Sequence, residues 1–280
     1  MREFDYYEPK TVAEACNLLT AEGARAIAGG TDLVVQIKHG VRKPAVVVNL
    51  KGIEELGGMR FSDDGVIIGA LTKIAALAES EEFYDGWRSV AEGADNIGTP
   101  QVRNLGTIGG NICNSSPCAD TVPGLLVSDA VAVITDGRHE RETKLIDFFK
   151  GPGKNCLEGG EILKALRLPK MPADTRQAFF KMGPRKAADI AVMNMAVSLS
   201  FAGGVCTRAR IAMGSVAPTP IRAAEAERAL EGSDAARDIE KISGLVAAAA
   251  SPIDDVRGSA AYRSHMLRAA AAGLLRELCR

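Results

Sequence analysis

Two pairs of adjacent glycines, at positions 29–30 and 109–110, constrain how this chain can fold. They lie in the segments "AIAGGTDL" and "LGTIGGN", and each pair is followed by a small polar residue, Thr31 or Asn111. A glycine costs backbone entropy on folding and adds no side chain to a core. The pairs therefore indicate turns with positive φ, or places where bare backbone approaches another group closely.

The segments around the first pair alternate between helix and strand patterns. Residues 11–23 combine a capping box, Thr11 with Glu14, an apolar face and a final glycine, which predicts a helix. The β-favouring segments "ARAIAGG" and "AVVVNL" flank a helical turn predicted to begin near Thr31. Short strands are then predicted at "GVIIGAL", "AVAVITD" and "ILKALRLP", with a helix over 83–96 and a long loop from Ile97 to Asp120.

A domain boundary is predicted within residues 168–175, "LPKMPADT", where two prolines interrupt the pattern. The chain is thereby divided into residues 1–172 and 173–280. In the second part, alternating apolar and polar residues over 197–201, followed by Gly203 and Gly204, predict a hairpin. Alanine-rich segments beyond Pro220 predict helices.

Composition excludes several classes of partner. The chain has 46% apolar residues, 25% charged residues and a net charge of -1, which is typical of a soluble globular protein and gives no attraction to nucleic acid or an anionic membrane. No apolar run is long enough to span a bilayer, so membrane insertion is not expected. The first residues, "MREFDYYEPK", do not resemble a secretory signal, and a cytoplasmic location is expected.

The cysteines and histidines do not predict a metal site. Cys113 and Cys118 have a C-x4-C spacing found in some iron–sulfur ligand sets, but the next ligand position of such a set is Thr121. Buried thiols are the favoured interpretation, and a redox role of the two cysteines stays open. The three histidines lack the pairing with acids or cysteines that a zinc site requires.

The glycine pairs suit a phosphate ligand. At the end of a strand they can point successive N–H groups into one concavity, and a helix that follows adds its positive dipole end. Two such pairs suit the two phosphates of a dinucleotide, with ordinary turns as the alternative. The nearest match to G-x-G-x-x-G, "GPGKNC" at 151–156, lacks the final glycine, so a Rossmann mode of binding is not expected.

Five segments, taken in order and spacing, resemble one family of proteins. They are "AIAGGTDL", "QVRNLGTIGGNICNSSPCADTVPGLL", "EILKALRLP", "FFKMGPRKAADIAVMNMAVSL" and "DDVRGSAAYRSHM". The chain is similar to the FAD-binding (medium) subunit of molybdenum hydroxylases, the xanthine dehydrogenase and carbon monoxide dehydrogenase family. This resemblance implies an α+β fold: a vanillyl-alcohol-oxidase-type FAD-binding domain with subdomains of about 1–55 and 56–172, then a C-terminal antiparallel sheet with helices over 173–280.

The resemblance also implies where FAD binds. Its diphosphate would lie between the two glycine loops, so that valine at Gly30 or Gly109 would release FAD and leave the fold intact. Asp120 would lie at the ribityl side, Lys181 near the flavin ring, and Ile97 and Ile190 beside the ring. Solvent exposure or helix capping is the alternative for the two charged residues, and core packing for the two isoleucines. The implied FAD-binding residues are Ala26, Ile27, Ala28, Gly29, Gly30, Thr31, Asp32, Leu33, Ile97, Thr107, Ile108, Gly109, Gly110, Asn111, Asp120, Lys181 and Ile190.

By the same resemblance, the chain is an electron-transfer flavoprotein subunit with no catalytic side chain of its own. A molybdopterin subunit would oxidise the substrate, a subunit with two 2Fe-2S clusters would carry the electrons, and FAD would pass them to NAD or another acceptor. A stand-alone flavin-dependent reductase is one alternative, which the C-terminal segment "DVRGSAAYR" disfavours. A flavin-free scaffold is another, which the intact glycine loops disfavour.

Overall fold

A computed structural model describes residues 3–185, 187–234 and 237–280, and it has the predicted mixture of helix and sheet. The strands are β1 (Asp5–Tyr7), β2 (Ala24–Ile27), β3 (Val46–Asn49), β4 (Met59–Ser62), β5 (Gly65–Gly69), β6 (Val131–Thr135), β7 (Glu140–Lys144), β8 (Phe149–Gly151), β9 (Lys154–Asn155), β10 (Ile162–Pro169), β11 (Thr175–Met182), β12 (Met193–Ala202), β13 (Val205–Gly214) and β14 (Ile221–Arg222). The α-helices are α1 (Val12–Leu19), α2 (Leu33–Lys38), α3 (Ile74–Ala78), α4 (Glu81–Gly86), α5 (Arg88–Asp95), α6 (Pro100–Leu105), α7 (Ile108–Asn114), α8 (Thr121–Val127), α9 (Leu145–Phe148), α10 (Ala224–Leu230), α11 (Ile239–Ala248) and α12 (Ala260–Leu278).

The first three strands form a small parallel sheet in the order β1-β3-β2. The predicted Thr11 cap begins α1: the hydroxyl of Thr11 accepts the N–H of Glu14 at 3.2 Å, while the Glu14 carboxylate accepts the N–H of Lys10 at 3.0 Å, one residue before the position that a capping box requires. The helix ends at Leu19, before the predicted Gly23, which has a φ of 74° in the following turn. The apolar face of α1 forms one cluster with Val48 of β3, so this helix and sheet share a core.

A second sheet has five antiparallel strands in the order β4-β5-β10-β6-β7. Its central strand, β10, has five buried residues of eight, and its buried apolar residues form one core with those of α5 and α8. The helix predicted over 83–96 is divided at Trp87 into α4 and α5. The indole N–H of Trp87 donates to the carbonyl of Pro169 at 3.0 Å, which ties this break to the end of β10.

The last sheet has four antiparallel strands in the order β11-β12-β13-β14 and packs against α10, α11 and α12. The predicted hairpin is confirmed, because Ala202 pairs with Val205 across the turn formed by Gly203 and Gly204. Both glycines have positive φ, 57° and 81°, as a two-residue type I′ turn requires. Helices in the alanine-rich segments are confirmed as well.

Helix α5 shares an apolar core with the five-stranded sheet and contacts the last sheet through polar groups. The N–H and hydroxyl of Ser89 donate to Gln177 Oε1 at 3.3 and 3.0 Å, and the Gln177 amide donates to Ser198 on β12 at 3.3 Å. The carboxylate of Glu92 accepts the N–H of Phe179 at 2.9 Å. Strands β11 and β12 are therefore fixed against α5.

The segment from Ile97 to Asp120 is not the long loop that its composition predicts. It contains α6 and α7, and each begins at a threonine whose hydroxyl accepts a backbone N–H: Thr99 from Val102 at 3.4 Å, and Thr107 from Gly110 at 3.1 Å. Pro100 occupies the first turn of α6, where it is well tolerated. Local capping therefore outweighs the weak helix propensity of the glycines and asparagines here.

Candidate functional site

A cleft of about 490 Å³ is lined by β2, the loop that follows it and α2, together with parts of the segments 97–114 and 153–161. Most residues that the sequence selects for cofactor binding meet here. Those that line the cleft are Ala26, Ile27, Ala28, Gly29, Gly30, Thr31, Asp32, Leu33, Ile97, Thr107, Gly110 and Asn111.

The loop after β2 offers unpaired backbone donors to the cleft. Across the described ranges, the N–H groups of residues 29–32 donate no hydrogen bond to another protein group. Gly30 has a φ of 73°, a backbone conformation that favours glycine. Gly29 is required by packing, since a Cβ there would collide with the carbonyl of Leu105. Burial at this position raises the pKa of the Asp32 carboxyl.

The second glycine pair lies in the first turn of α7, and it does not form a nest. The N–H of Gly109 donates to the carbonyl of Ala70 at 2.8 Å, and that of Gly110 to the hydroxyl of Thr107 at 3.1 Å. Neither glycine has positive φ. A Cβ on Gly109 would lie 2.7 Å from both the Cβ and the oxygen of Ala70, whereas a Cβ on Gly110 would meet only the Thr107 hydroxyl, at 3.1 Å. The expectation that this pair presents free N–H groups is therefore wrong, and Gly109 serves packing.

Side chains provide the donors on the α7 side of the cleft. The hydroxyl of Thr107 accepts a capping N–H but still has its own proton to donate. The side-chain oxygen of Asn111 accepts the hydroxyl proton of Thr121 at 2.6 Å, and its NH₂ group has no acceptor among the described residues. Ile108 and Gly109 are buried and do not contribute to the cleft lining.

The segment 153–161, which is not among the predicted binding residues, forms a further part of the cleft lining. Gly159 and Gly160 are another adjacent glycine pair, in a turn closed by a hydrogen bond from Glu161 N–H to the carbonyl of Glu158 at 3.1 Å. Gly160 is buried with a φ of 84°, and its N–H donates to no protein group in the part of the chain described. A buried N–H without an acceptor is rare in proteins and indicates a ligand or water at that place.

Arg141 of β7 holds this turn in place. Its guanidinium group contacts both carboxylate oxygens of Glu161, at 2.7 and 2.6 Å, and Glu161 also accepts the N–H of Glu158 at 2.8 Å. The hydrogen bond and charge of Arg141 lower the pKa of Glu161. Two other cleft residues absent from the sequence predictions, Gln36 and Asn114, are joined by a hydrogen bond of 3.2 Å between α2 and α7.

Asp120 and Lys181 form a buried ion pair outside the cleft lining. Lys181 Nζ lies 2.6 Å from Asp120 Oδ2, and both side chains are less than a tenth exposed. Lys181 also donates to the carbonyl of Asn96 at 2.8 Å, and the amide of Asn194 donates to Asp120 Oδ1 at 2.8 Å. Burial raises the pKa of Asp120, while Lys181 and Asn194 oppose this shift.

Short covalent and hydrogen-bonded paths connect this pair to the cleft. Asn96, the acceptor for Lys181, immediately precedes Ile97 in the cleft. Asp120 immediately precedes Thr121, which binds Asn111. Ile190, by contrast, is 55% exposed and does not line the cleft.

The chain shows no sign of metal or disulfide chemistry in the residues described. All six cysteines are free, and no group of three His, Cys, Asp or Glu residues suited to a metal ion occurs in the described ranges. Cys113 lines the cleft, and burial raises its pKa to about 12, so it is a neutral thiol at physiological pH. Within residues 3–185, 187–234 and 237–280, no helix is long and apolar enough to cross a membrane.

Comparisons with known proteins match both parts of the chain. A family model described as the FAD binding domain in molybdopterin dehydrogenase matches residues 2–171, and one described as the CO dehydrogenase flavoprotein C-terminal domain matches residues 178–278.

Similar proteins and structures align over most of their length. The nicotinate dehydrogenase FAD-subunit of Eubacterium barkeri is 36% identical over 241 residues, which cover 83% of this chain and 81% of that protein. The carbon monoxide dehydrogenase medium chain of Afipia carboxidovorans is 35% identical over 266 residues, with coverage of 94% and 92%. A chain of reconstituted CO dehydrogenase from Oligotropha carboxidovorans superposes with a TM-score of 0.95 at 33% identity, over 99% of this chain and 98% of that chain.

Proposed function

Because the chain belongs to the family of FAD-binding medium subunits of molybdenum hydroxylases, we propose that it transfers electrons from the iron–sulfur clusters of a partner subunit to NAD or another acceptor. The observation that carries the proposal is the cleft along β2, with its unpaired backbone donors. FAD supplies the redox chemistry when bound. The residues of this chain bind FAD, orient it and set the charge around it.

The FAD diphosphate would bind at residues 29–32. Their N–H groups have no protein acceptor, and charge-assisted hydrogen bonds to phosphate are among the stronger ones available. The NH₂ group of Asn111 and the hydroxyl of Thr107 would add donors from α7. The second glycine pair would contribute through Gly110, whose lack of a side chain keeps this part of the cleft open.

The cleft runs along β2 and continues past the loop after it, since Ala24 at the start of the strand and Leu33 beyond its end both line it. At about 3.3 Å per residue, β2 itself spans about 10 Å from Ala24 to Ile27, and a cleft that extends beyond the strand suits an extended dinucleotide. The adenosine half would bind near Ala24, where Gly160 lies against Thr20 and has a free N–H. The flavin half would bind at the opposite end, near Ile97.

Lys181 and Asp120 would stabilise the flavin half of FAD. The ammonium group of Lys181 is fixed beside the residue that precedes Ile97, so a positive charge stands near that end of the cleft. A cation there would favour additional negative charge on the bound cofactor. Asp120 would accept hydrogen bonds from ribityl hydroxyls.

A diffusible acceptor is proposed on the basis of Ile190. The family resemblance assigns this position to the side of the ring, where an aliphatic residue would cover less of it than an aromatic one; in the structure the side chain is 55% exposed and lies outside the cleft lining. NAD or a molecule of similar size would then reach the flavin. Reoxidation of the reduced protein by NAD in stopped flow is expected, and reoxidation by a protein acceptor alone would contradict the proposal.

The partners would be an iron–sulfur subunit and a molybdopterin subunit of the same complex. Purification from native cells is expected to yield all three chains, with about one FAD per copy of this chain measured by flavin absorption. Recovery as a monomer that reduces a substrate without other subunits would instead support the stand-alone reductase.

A further inference from the structure

Asn194 has a buried polar group that the fold does not explain. The residue is fully buried in β12, its amide donates to Asp120, and its side-chain oxygen accepts no hydrogen bond from any of the described residues. A buried acceptor without a partner costs stability. An apolar residue of similar size would avoid that cost, so the hydrogen bond to Asp120 calls for a reason other than stability.

Gly214 of β13 accommodates the amide of Asn194 at a further cost. The two residues are directly opposite in the register of β12 and β13. A Cβ on Gly214 would collide with the side-chain oxygen of Asn194 and would lie 2.9 Å from the carbonyl of Pro117. Glycine weakens a strand because it adds no packing and loses more entropy on folding. Positions 194 and 214 are therefore both adapted to the side-chain amide of Asn194.

The amide of Asn194 fixes the orientation of the Asp120 carboxylate. Asn194 and Lys181 are paired neighbours on β12 and β11, and each binds a different oxygen of Asp120, at 2.8 and 2.6 Å. With one donor on each oxygen, the carboxylate cannot rotate without losing a contact. Lys181 in turn is held at the carbonyl of Asn96, next to the cleft.

We propose that Asn194 is a positioning residue, which fixes the Asp120 carboxylate and thereby holds the Lys181 ammonium group at the flavin end of the FAD cleft. The inference rests on the proposed binding of FAD in this cleft. Without Asn194, burial still raises the pKa of Asp120, and one of the interactions that oppose this shift is lost. Asp120 then binds a proton at higher pH, and Lys181 loses its counter-charge.

Other charged groups around the pair are unchanged by a substitution at position 194. Asp189 forms an ion pair with Arg185, whose hydrogen bond lowers the pKa of Asp189, with a smaller contribution from the charge of Lys181. On α5, Glu92 accepts the backbone N–H of Phe179, two residues before Lys181, and pairs with Arg88. A new pH-dependent step in the variant would therefore report on the Asp120–Lys181 pair.

The test compares Asn194→Leu with Ser198→Ala. Both residues are buried in β12 and join it to the other domain, but Ser198 binds Gln177. The apoproteins are titrated with FAD by flavin fluorescence between pH 5.5 and 9, and their unfolding is measured without FAD. In Asn194→Leu, FAD is expected to bind at least tenfold more weakly than to wild type at the low end of this pH range, and the difference should shrink as the pH rises, because Asp120 binds a proton at higher pH in the variant. Ser198→Ala should follow wild type at every pH.

The outcomes separate the inference from the proposed function. A loss of stability in Asn194→Leu with no pH-dependent change in FAD affinity would show that Asn194 is only structural, and would overturn the inference. If the variant does not fold, Asn194→Asp keeps the size and adds a second carboxyl group beside Asp120, which should also weaken FAD binding toward low pH relative to wild type. The same pH dependence in Asn194→Asp as in wild type would overturn the inference as well. Failure of the wild-type chain to bind FAD at any pH would refute the proposed function instead.

Discussion

A single methyl group added at Gly109 should destabilise the fold, while the same change at Gly110 should not. The new Cβ at Gly109 would lie 2.7 Å from two atoms of Ala70, one of them a backbone oxygen that cannot rotate away. Overpacking of this kind costs about 1–3 kcal/mol. Displacement of the hydrogen bond from Gly109 to Ala70 would add about 0.5–1.5 kcal/mol. The better helix propensity of alanine returns up to about 1 kcal/mol.

Gly109→Ala is therefore expected to lower the free energy of unfolding by about 0.5–3.5 kcal/mol. Gly110→Ala gains the same propensity but meets only the hydroxyl of Thr107 at 3.1 Å, so its stability should stay within about 1 kcal/mol of wild type. Urea unfolding of the apoproteins measures both. Equal stabilities of the two variants would refute the packing role of Gly109. Gly109→Val, expected from the sequence alone to fold and lose FAD, should lose the fold itself.

Three further predictions concern charged residues. Asp120→Asn leaves the buried ammonium group of Lys181 without a counter-charge, and it should lower the free energy of unfolding in urea by about 3 kcal/mol. The added change Lys181→Met should restore most of that loss. A loss smaller than about 1 kcal/mol would contradict the pairing. Two backbone N–H groups hold the pKa of Asp136 at about 2, below the ordinary 3.8, so this carboxylate adds stability above pH 4 that is lost as the pH falls toward 2. The stabilities of Asp136→Ala and wild type should therefore converge near pH 2 in pH-dependent unfolding. Parallel stability curves for the two proteins would count against this. Arg141→Met removes the ion pair with Glu161 and loosens the turn at the adenosine end of the cleft. Fluorescence titration should then show FAD binding up to about tenfold weaker and FMN binding unchanged. Equal losses of affinity for FAD and FMN would argue against placing adenosine at this end.

Elements with strong local signals could be predicted from the sequence. The helix cap at Thr11, the hairpin at Gly203 and Gly204, and the alanine-rich helices all form where expected, because local propensity and packing agree there. The segment from 97 to 120 could not be predicted in the same way. Its helices depend on two threonine caps and on contacts such as that between Gly109 and Ala70, which composition does not reveal.

The candidate site shows the same division between local and long-range information. The loop after β2 was predicted because its glycines stand beside strand and helix patterns in the sequence. Gly160 could have been noticed as part of another glycine pair, but its unpaired N–H depends on tertiary structure. Asn194 lies on a strand 74 residues from Asp120, and its sequence neighbours give no indication of that contact. Only the pairing of β11 with β12 brings Asn194 beside Lys181.

The type I′ turn at Gly203 and Gly204 provides a site for a probe. A Cβ on either glycine would meet no atom within 4 Å, and both residues are exposed. Position 203 is nine residues along the chain from Asn194, which at about 3.3 Å per residue is about 30 Å. A short cysteine-bearing insertion in this turn could carry a fluorophore whose emission bound flavin would quench by energy transfer. The same label would follow subunit association by anisotropy, so cofactor loading and assembly could be timed in one experiment.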